Sequence, residues 1–332
     1  MPSTTVRTRN LRKNWKVATI KEIRDRISSV NDTRKITNAM YLISSTKLRR
    51  AKKMLMDTEP FFFATQAMIS RMVRHLPEGV DNIFLETRLE IPEDERRRGY
   101  IIFTDDKGLA GSYNHNVIKL AEEKIAKDKG EWKLFVIGEV GRFHFLSKNV
   151  DIEESFMFTS QNPTLHRARK IAAEILDYYY RRKIDEFYII YTTVHGAKIE
   201  TRFEKLLPLE IITDIKREKP IEGTLLEEFL MEPSPSAILD NIVPNYVTGF
   251  IYGALVEAFC SVQSARMMAM DSANKNAEKM IADLQRTYNR QRQAMITQEI
   301  TEVVSGAKAL KNAKMAKEKK ISRKRGSTVE ER

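Results

Sequence analysis

From Ala254 to Ser305 the chain runs for 52 residues without glycine or proline, and the stretch from Ser3 to Glu59 is equally free of both. At about 1.5 Å of rise per residue, the C-terminal run alone makes a helix of about 78 Å, several times the usual length in a globular protein. A compact enzyme has little use for such elements. The two ends of the chain are therefore expected to serve as a lever, a spacer or an axle.

Local pattern supports helices at both ends. Thr19 and Glu22 have the spacing of a capping box directly before Ile20. From there a 3–4 spacing selects Ile20, Ile23, Ile27, Val30, Arg34, Thr37, Tyr41, Ser44, Leu48, Ala51 and Leu55. That is a coiled-coil seam, apolar at its ends and polar in its middle. The matching C-terminal seam is Val256, Cys260, Gln263, Met267, Met270, Asn274, Ala277, Ile281, Leu284, Tyr288, Gln291 and Met295, also diluted by polar residues. One helix enters the middle of the chain and the other leaves it, which predicts antiparallel pairing. A helix over Ile20–Asp57 spans about 57 Å and one over Tyr246–Ala307 about 90 Å, so the second outruns the first by about 25 residues. The surplus still carries an apolar stripe: Ile296, Ile300, Val303, Val304 and Ala307. A stripe without a mate in its own chain has to be covered by another protein.

The middle alternates between short strands and helices. Gly99–Thr104, Lys133–Gly138, Glu186–Thr193 and Ile199–Ile212 read as strands; Asn114–Lys127 and Pro163–Arg182 read as helices. This predicts an α/β domain of parallel-sheet type. The expected divisions are a basic extension at 1–18, an N-terminal coiled-coil helix at 19–59 and a connecting helix and loop at 60–95. They continue with the α/β domain at 96–215, an acidic, proline-marked linker at 216–236, the C-terminal coiled-coil helix at 237–310 and a basic tail at 311–332.

Charge has to be located before it is interpreted. The formal net charge of +12 resides at the ends. Residues 1–21 carry six Lys/Arg and no acids, residues 311–332 carry nine against three, and the body between them is neutral. Both tails are expected to be disordered, and a neutral body argues against a folded nucleic-acid domain. The first 18 residues read as a solvated extension, with a mitochondrial presequence as the alternative. No run of about 18 uninterrupted apolar residues is present to span a membrane. The lone Cys260 excludes an intramolecular disulfide.

Catalytic chemistry is hard to assemble from what remains. Thr104–Tyr113 and Val136–Gly141 follow strands, but neither fits G-x-x-x-x-G-K-[ST] or G-x-G-x-x-G, so both read as turns. The five histidines lack metal-binding spacing, and Asp105–Asp106 reads as a strand-end cap. Arg266 with Met267, Met268 and Met270 reads as helix packing, with a partner surface as the alternative.

Several segments together resemble the γ subunit of F-type ATP synthases. They are Ile20–Ile27, Ser29–Met40 and Lys47–Ala51 near the start, Thr104–Asn114 in the middle, and Ser264–Ala273 with Tyr288–Gly306 near the end. The resemblance implies a long antiparallel coiled coil of both termini plus a Rossmann-like α/β domain without a nucleotide site, and no cofactor or metal. It implies a rotor shaft that turns inside the hexamer of α and β subunits and meets the ε subunit and the membrane c-ring. The chain itself would be non-catalytic and would bind no nucleic acid. Position by position, it implies coupling contacts to α and β at Arg34, Lys35, Met40, Arg266, Arg292, Gln293, Thr297 and Glu299. Rotor-ring contacts would fall at Glu227, Glu228 and Phe229. Localisation would be the cytoplasmic face of a bacterial membrane, or alternatively the matrix side of the mitochondrial inner membrane. Tyr41–Thr46 replaces a usually alanine-rich stretch, and the 22-residue basic tail extends past the usual end of the family.

Overall fold

The computed structural model describes residues 19–76, 80, 82–85, 91–195, 198–209 and 231–326. Nine elements follow in order: α1 (Ile20–Arg74), β1 (Arg98–Phe103), α2 (Tyr113–Ile125), β2 (Trp132–Ile137), α3 (Glu139–Ser147), α4 (Leu165–Tyr180), β3 (Glu186–His195), β4 (Lys198–Leu207) and α5 (Pro235–Gly326). The chain divides into two compact units. One comprises residues up to Thr37 together with Ala273 onwards; the other is Asn38–Ser272.

In the first unit the start of α1 pairs antiparallel with α5. The capping box forms as expected: Glu22 accepts from the Thr19 N–H at 2.8 Å, and Thr19 Oγ1 accepts from the Glu22 N–H at 3.3 Å. The Thr37 hydroxyl donates to the side-chain oxygen of Asn274. Arg34 reaches Glu278 at 3.5 Å, one turn further along α5 but one turn earlier along α1. Near the beginning of α1, Glu22, Ile23 and Arg26 share a groove with Leu284, Thr287 and Gln291. Every expected α1 seam position from Ile20 to Leu55 is buried or half-buried. On α5 the seam holds from Val256 through Gln291 and fails only at Met295, which is 48% exposed.

The second unit is built on a four-stranded sheet of order β2-β1-β3-β4. β1 pairs parallel with β2 and β3, while β4 returns antiparallel beside β3. The parallel-type sheet expected from strand–helix alternation holds for β2, β1 and β3, and β4 makes the sheet mixed. Only two residues, Gly196 and Ala197, separate β3 from β4, too few for the crossover that a parallel neighbour needs. β4 stops at Leu207 because Pro208 has no N–H to continue a ladder. One face of the sheet packs against α4, the end of α1 and the beginning of α5, through Phe103, Phe135, Ile171, Ile175, Tyr179 and Val247. The other packs against α2 through Tyr100, Ile102, Val117 and Ala121.

Two expectations about the helices change. α1 does not end near Glu59 but passes through Pro60 to Arg74. An interior proline costs about 3 kcal/mol; burial of Ile69 with Met72 and Val73 in the core of the unit offsets it. α5 likewise contains Pro244, flanked by the fully buried Val243 and Val247. The basic tail is helical to Gly326 rather than disordered throughout; residues 307–325 contain no glycine or proline and are rich in Ala, Lys and Arg, all strong helix formers. α5 also contains an 18-residue window with mean hydropathy 1.2, long and apolar enough for a membrane span. Its apolar residues from Leu239 to Val262 are nevertheless packed within the second unit.

Candidate coupling surface

The distal part of α5 carries the most distinctive surface of the chain. Past Gln291 every described residue through Lys317 is exposed. Ile296 (42%), Ile300 (59%) and Val303 (71%) remain apolar and uncovered among the described residues. At 100° per residue these three share one face with Ala307 and Leu310. Arg292 and Glu299 fall on one flank of that face, and Gln293 and Thr297 on the other. Thr297 satisfies its hydroxyl locally, donating to the Gln293 carbonyl at 2.9 Å, and Gln298 donates to Glu302 at 2.9 Å. An apolar spine with polar flanks of both signs suits a protein surface.

The expected contact residues on α1 divide. Arg34 is half-exposed and already paired with Glu278. Lys35 is exposed and reaches back to Asp32 at 3.0 Å. Met40, in the second unit, is half-buried. Glu227, Glu228 and Phe229 lie outside the described residues.

Arg266 lies apart from these residues. Expected as a contact to other subunits, it is buried in the second unit, where its guanidinium donates to the Asp105 carboxylate and, at 3.3 Å, to the Gly108 carbonyl. Asp105 accepts further from Ser160 Oγ at 3.3 Å and Gln161 Nε2 at 3.1 Å. Burial raises the Asp105 carboxyl above the usual carboxylate range, and the Arg266 charge works against that shift. Sequence reading missed this pair because 161 positions separate its members; an Asp at a strand end and an Arg in an apolar helix face were its only signals.

At the glycine turn before α3 the backbone donors are engaged within the chain. The first free N–H groups of α3, the natural anion donors of such a fold, are already used. Glu139 N–H donates to Asp106 at 3.2 Å, Val140 N–H to the Asp105 carbonyl at 3.0 Å, and Gly141 N–H to Thr104 Oγ1 at 3.0 Å. Gly138 stands at φ 94°, and a Cβ there would sit 2.3 Å from the Thr104 carbonyl. These glycines let two turns touch. Asp106 is consumed as well, accepting from the N–H groups of Ser160 (3.1 Å) and Gln161 (3.2 Å), so the Asp105–Asp106 pair caps loops.

Comparison with known proteins agrees with this geometry. The family model described as ATP synthase matches residues 19–310. The ATP synthase gamma chain of Ruminiclostridium cellulolyticum is 43% identical over 292 residues, covering 88% of this chain and 98% of that one. The sodium-ion-specific ATP synthase gamma chain of Acetobacterium woodii is 39% identical over 305 residues, again covering 88% and 98%. Among solved structures, a chain of the Euglena gracilis mitochondrial ATP synthase (OSCP/F1/c-ring) superposes with TM-score 0.60 at 15% identity, covering 89% of this chain and 95% of that one. A chain of the Tetrahymena thermophila mitochondrial ATP synthase central stalk and c-ring gives 0.54 at 19%, covering 72% and 99%. The structural matches speak for the fold, and the sequence matches fix the lineage. The chain belongs to the ATP synthase family, as one of its gamma chains.

Proposed function

We propose that this chain is the central-stalk rotor subunit of an F-type ATP synthase, carrying torque between an ion-driven membrane ring and a catalytic hexamer of α and β subunits. The observation that carries this reading is the uncovered spine Ile296–Ile300–Val303 with its flanks Arg292, Gln293, Thr297 and Glu299. In water such a stripe is costly; inside a sleeve of other subunits it is covered. The chain contributes no catalytic group. It acts because one asymmetric helix pair meets three equivalent catalytic subunits differently, and a shaft can bias a site only through such differential contact. Arg34, Lys35 and Met40 belong to the same contact set on α1. Glu227, Glu228 and Phe229, the ε subunit and the c-ring complete the assembly at the membrane side, on the cytoplasmic face of a bacterial membrane.

The seam between α1 and α5 suits this role. It is lined at Arg34, Thr37 and Asn274 by polar side chains, which fix register at a cost in stability. The test is reconstitution: the chain mixed with α and β subunits of a bacterial relative is expected to yield an ATP-hydrolysing complex containing one copy of the chain. Failure of α and β to assemble around it would overturn the assignment.

A further inference from the structure

Past Val303 the character of α5 changes. Residues 308–325 carry nine Lys/Arg and one acid, Glu318, and residues 303–317 contain no acid at all. Lys308, Lys311, Lys314 and Lys317 are exposed, and among the described residues none of the four has an ion-pair partner. Earlier in α5 opposite charges do meet: Asp283 lies 3.4 Å from Arg286, and Glu278 lies 3.5 Å from Arg34. Lysines three residues apart on a helix repel one another. Interleaved acids would relieve that repulsion, and here they are missing, so the counter-charge has to come from outside the chain.

The distribution of the charge narrows what supplies it. Leu310 and Met315 are large, apolar and exposed, but five residues set them about 140° apart around the helix. They share no face, which a helix lying on a membrane requires. At 100° per residue the nine cations leave no sector wider than about 60° empty. The spine Ile296–Ile300–Val303 is the opposite case, with its apolar residues on one face. Both stretches belong to one unbroken helix, and Lys308 stands about 7.5 Å beyond Val303 along it.

A one-sided surface changes its contacts as a shaft turns, which is what coupling needs. A surface charged all round presents nearly the same field at every angle, so it centres a shaft without stopping it.

We propose that residues 308–325 act as an electrostatic bearing, surrounded by a ring of carboxylates that the α and β subunits contribute where the sleeve around the spine ends. This rests on the rotor reading above. The test is acetylation footprinting of the full chain, alone and reconstituted with α and β subunits of the same organism, with the exposed Lys129 as internal standard. During ATP hydrolysis, labelling of Lys308, Lys311, Lys314 and Lys317 is expected to slow about tenfold in the complex, to a similar extent at all four. That protection is expected to vanish at about 1 M salt, where charges are screened within about 3 Å. Lys311→Glu combined with Lys314→Glu changes exposed positions only. It is expected to release the chain from the complex about tenfold faster than removal of residues 311–332, since the reversed charge is repelled by the ring. Several results would each overturn the bearing and leave the rotor reading standing: unprotected lysines in an active complex, protection of one side of the helix only, protection that survives 1 M salt, or a charge-reversed chain held as tightly as the truncated one. Protection by anionic vesicles or RNA in place of α and β would do the same. Failure of α and β to assemble with the chain would overturn both.

Discussion

The guanidinium of Arg266 is buried against the carboxylate of Asp105, so the middle of α5 is held to the loop after β1 by a largely buried ion pair. Removing one partner strands the other charge. Arg266→Ala is expected to cost about 3–5 kcal/mol in urea unfolding of the full chain. Replacing both partners, as Asp105→Asn with Arg266→Met, is expected to cost less than Arg266→Ala alone. A double variant worse than the single one would contradict the pairing.

Glu153 predicts a stretch of the acid unfolding curve. Burial alone would raise its carboxyl, but donation from Lys133, Tyr178 and Ser155 outweighs that and holds it at about 2. Because the folded value lies below the ordinary 4.5, the stabilisation is complete above that value. It is lost as pH falls toward 2. Glu153→Gln is therefore expected to flatten the pH dependence of stability between about 4.5 and 2. Chemical denaturation at a series of pH values reads this directly, and an unchanged slope would contradict the assignment.

How much of this was legible beforehand follows from range. The seam from Ile20 to Leu55 was read residue by residue because helical periodicity is local and each position reports its own side. The end of α1 was misread because Pro60 is a local stop signal, and the burial of Ile69 that overrides it is tertiary. The antiparallel β4 escaped for a related reason: a strand's direction depends on the length of its connection. Among the proposed contact residues, Arg292, Gln293, Thr297 and Glu299 lie on the exposed part of α5. Arg266 does not, since the buried Asp105 that claims it is distant in sequence.

The polar seam offers a second test of function. Replacing Asn274 with Leu and Thr37 with Val exchanges a side-chain hydrogen bond for apolar contact. The isolated chain is expected to unfold a few degrees higher. If the seam sets register for coupling, ion pumping per ATP hydrolysed in the reconstituted complex falls even though the chain is more stable. Full coupling in a stabilised variant would show that register there is not functional.

Ile296→Asp and Ile300→Asp address the uncovered spine. Both side chains face solvent in the isolated chain, so its own stability should change by less than about 0.5 kcal/mol. Assembly with α and β subunits, followed by co-elution, is expected to weaken at least about tenfold, the cost of burying an unpaired carboxylate. Wild-type assembly by both variants would mean that other subunits leave the spine uncovered.

The central claim is that this chain turns inside α and β, and observing it turn tests that most directly. Lys129 is exposed in the loop before β2, and the Cys260 thiol is buried and pushed up to about 11, chiefly by that burial. A Lys129→Cys variant therefore accepts an optical probe selectively. With the α and β hexamer fixed to a surface and ATP supplied, the probe is predicted to rotate in one direction for as long as ATP is hydrolysed. Sustained hydrolysis by complexes containing the labelled chain, with the probe stationary, would contradict the account.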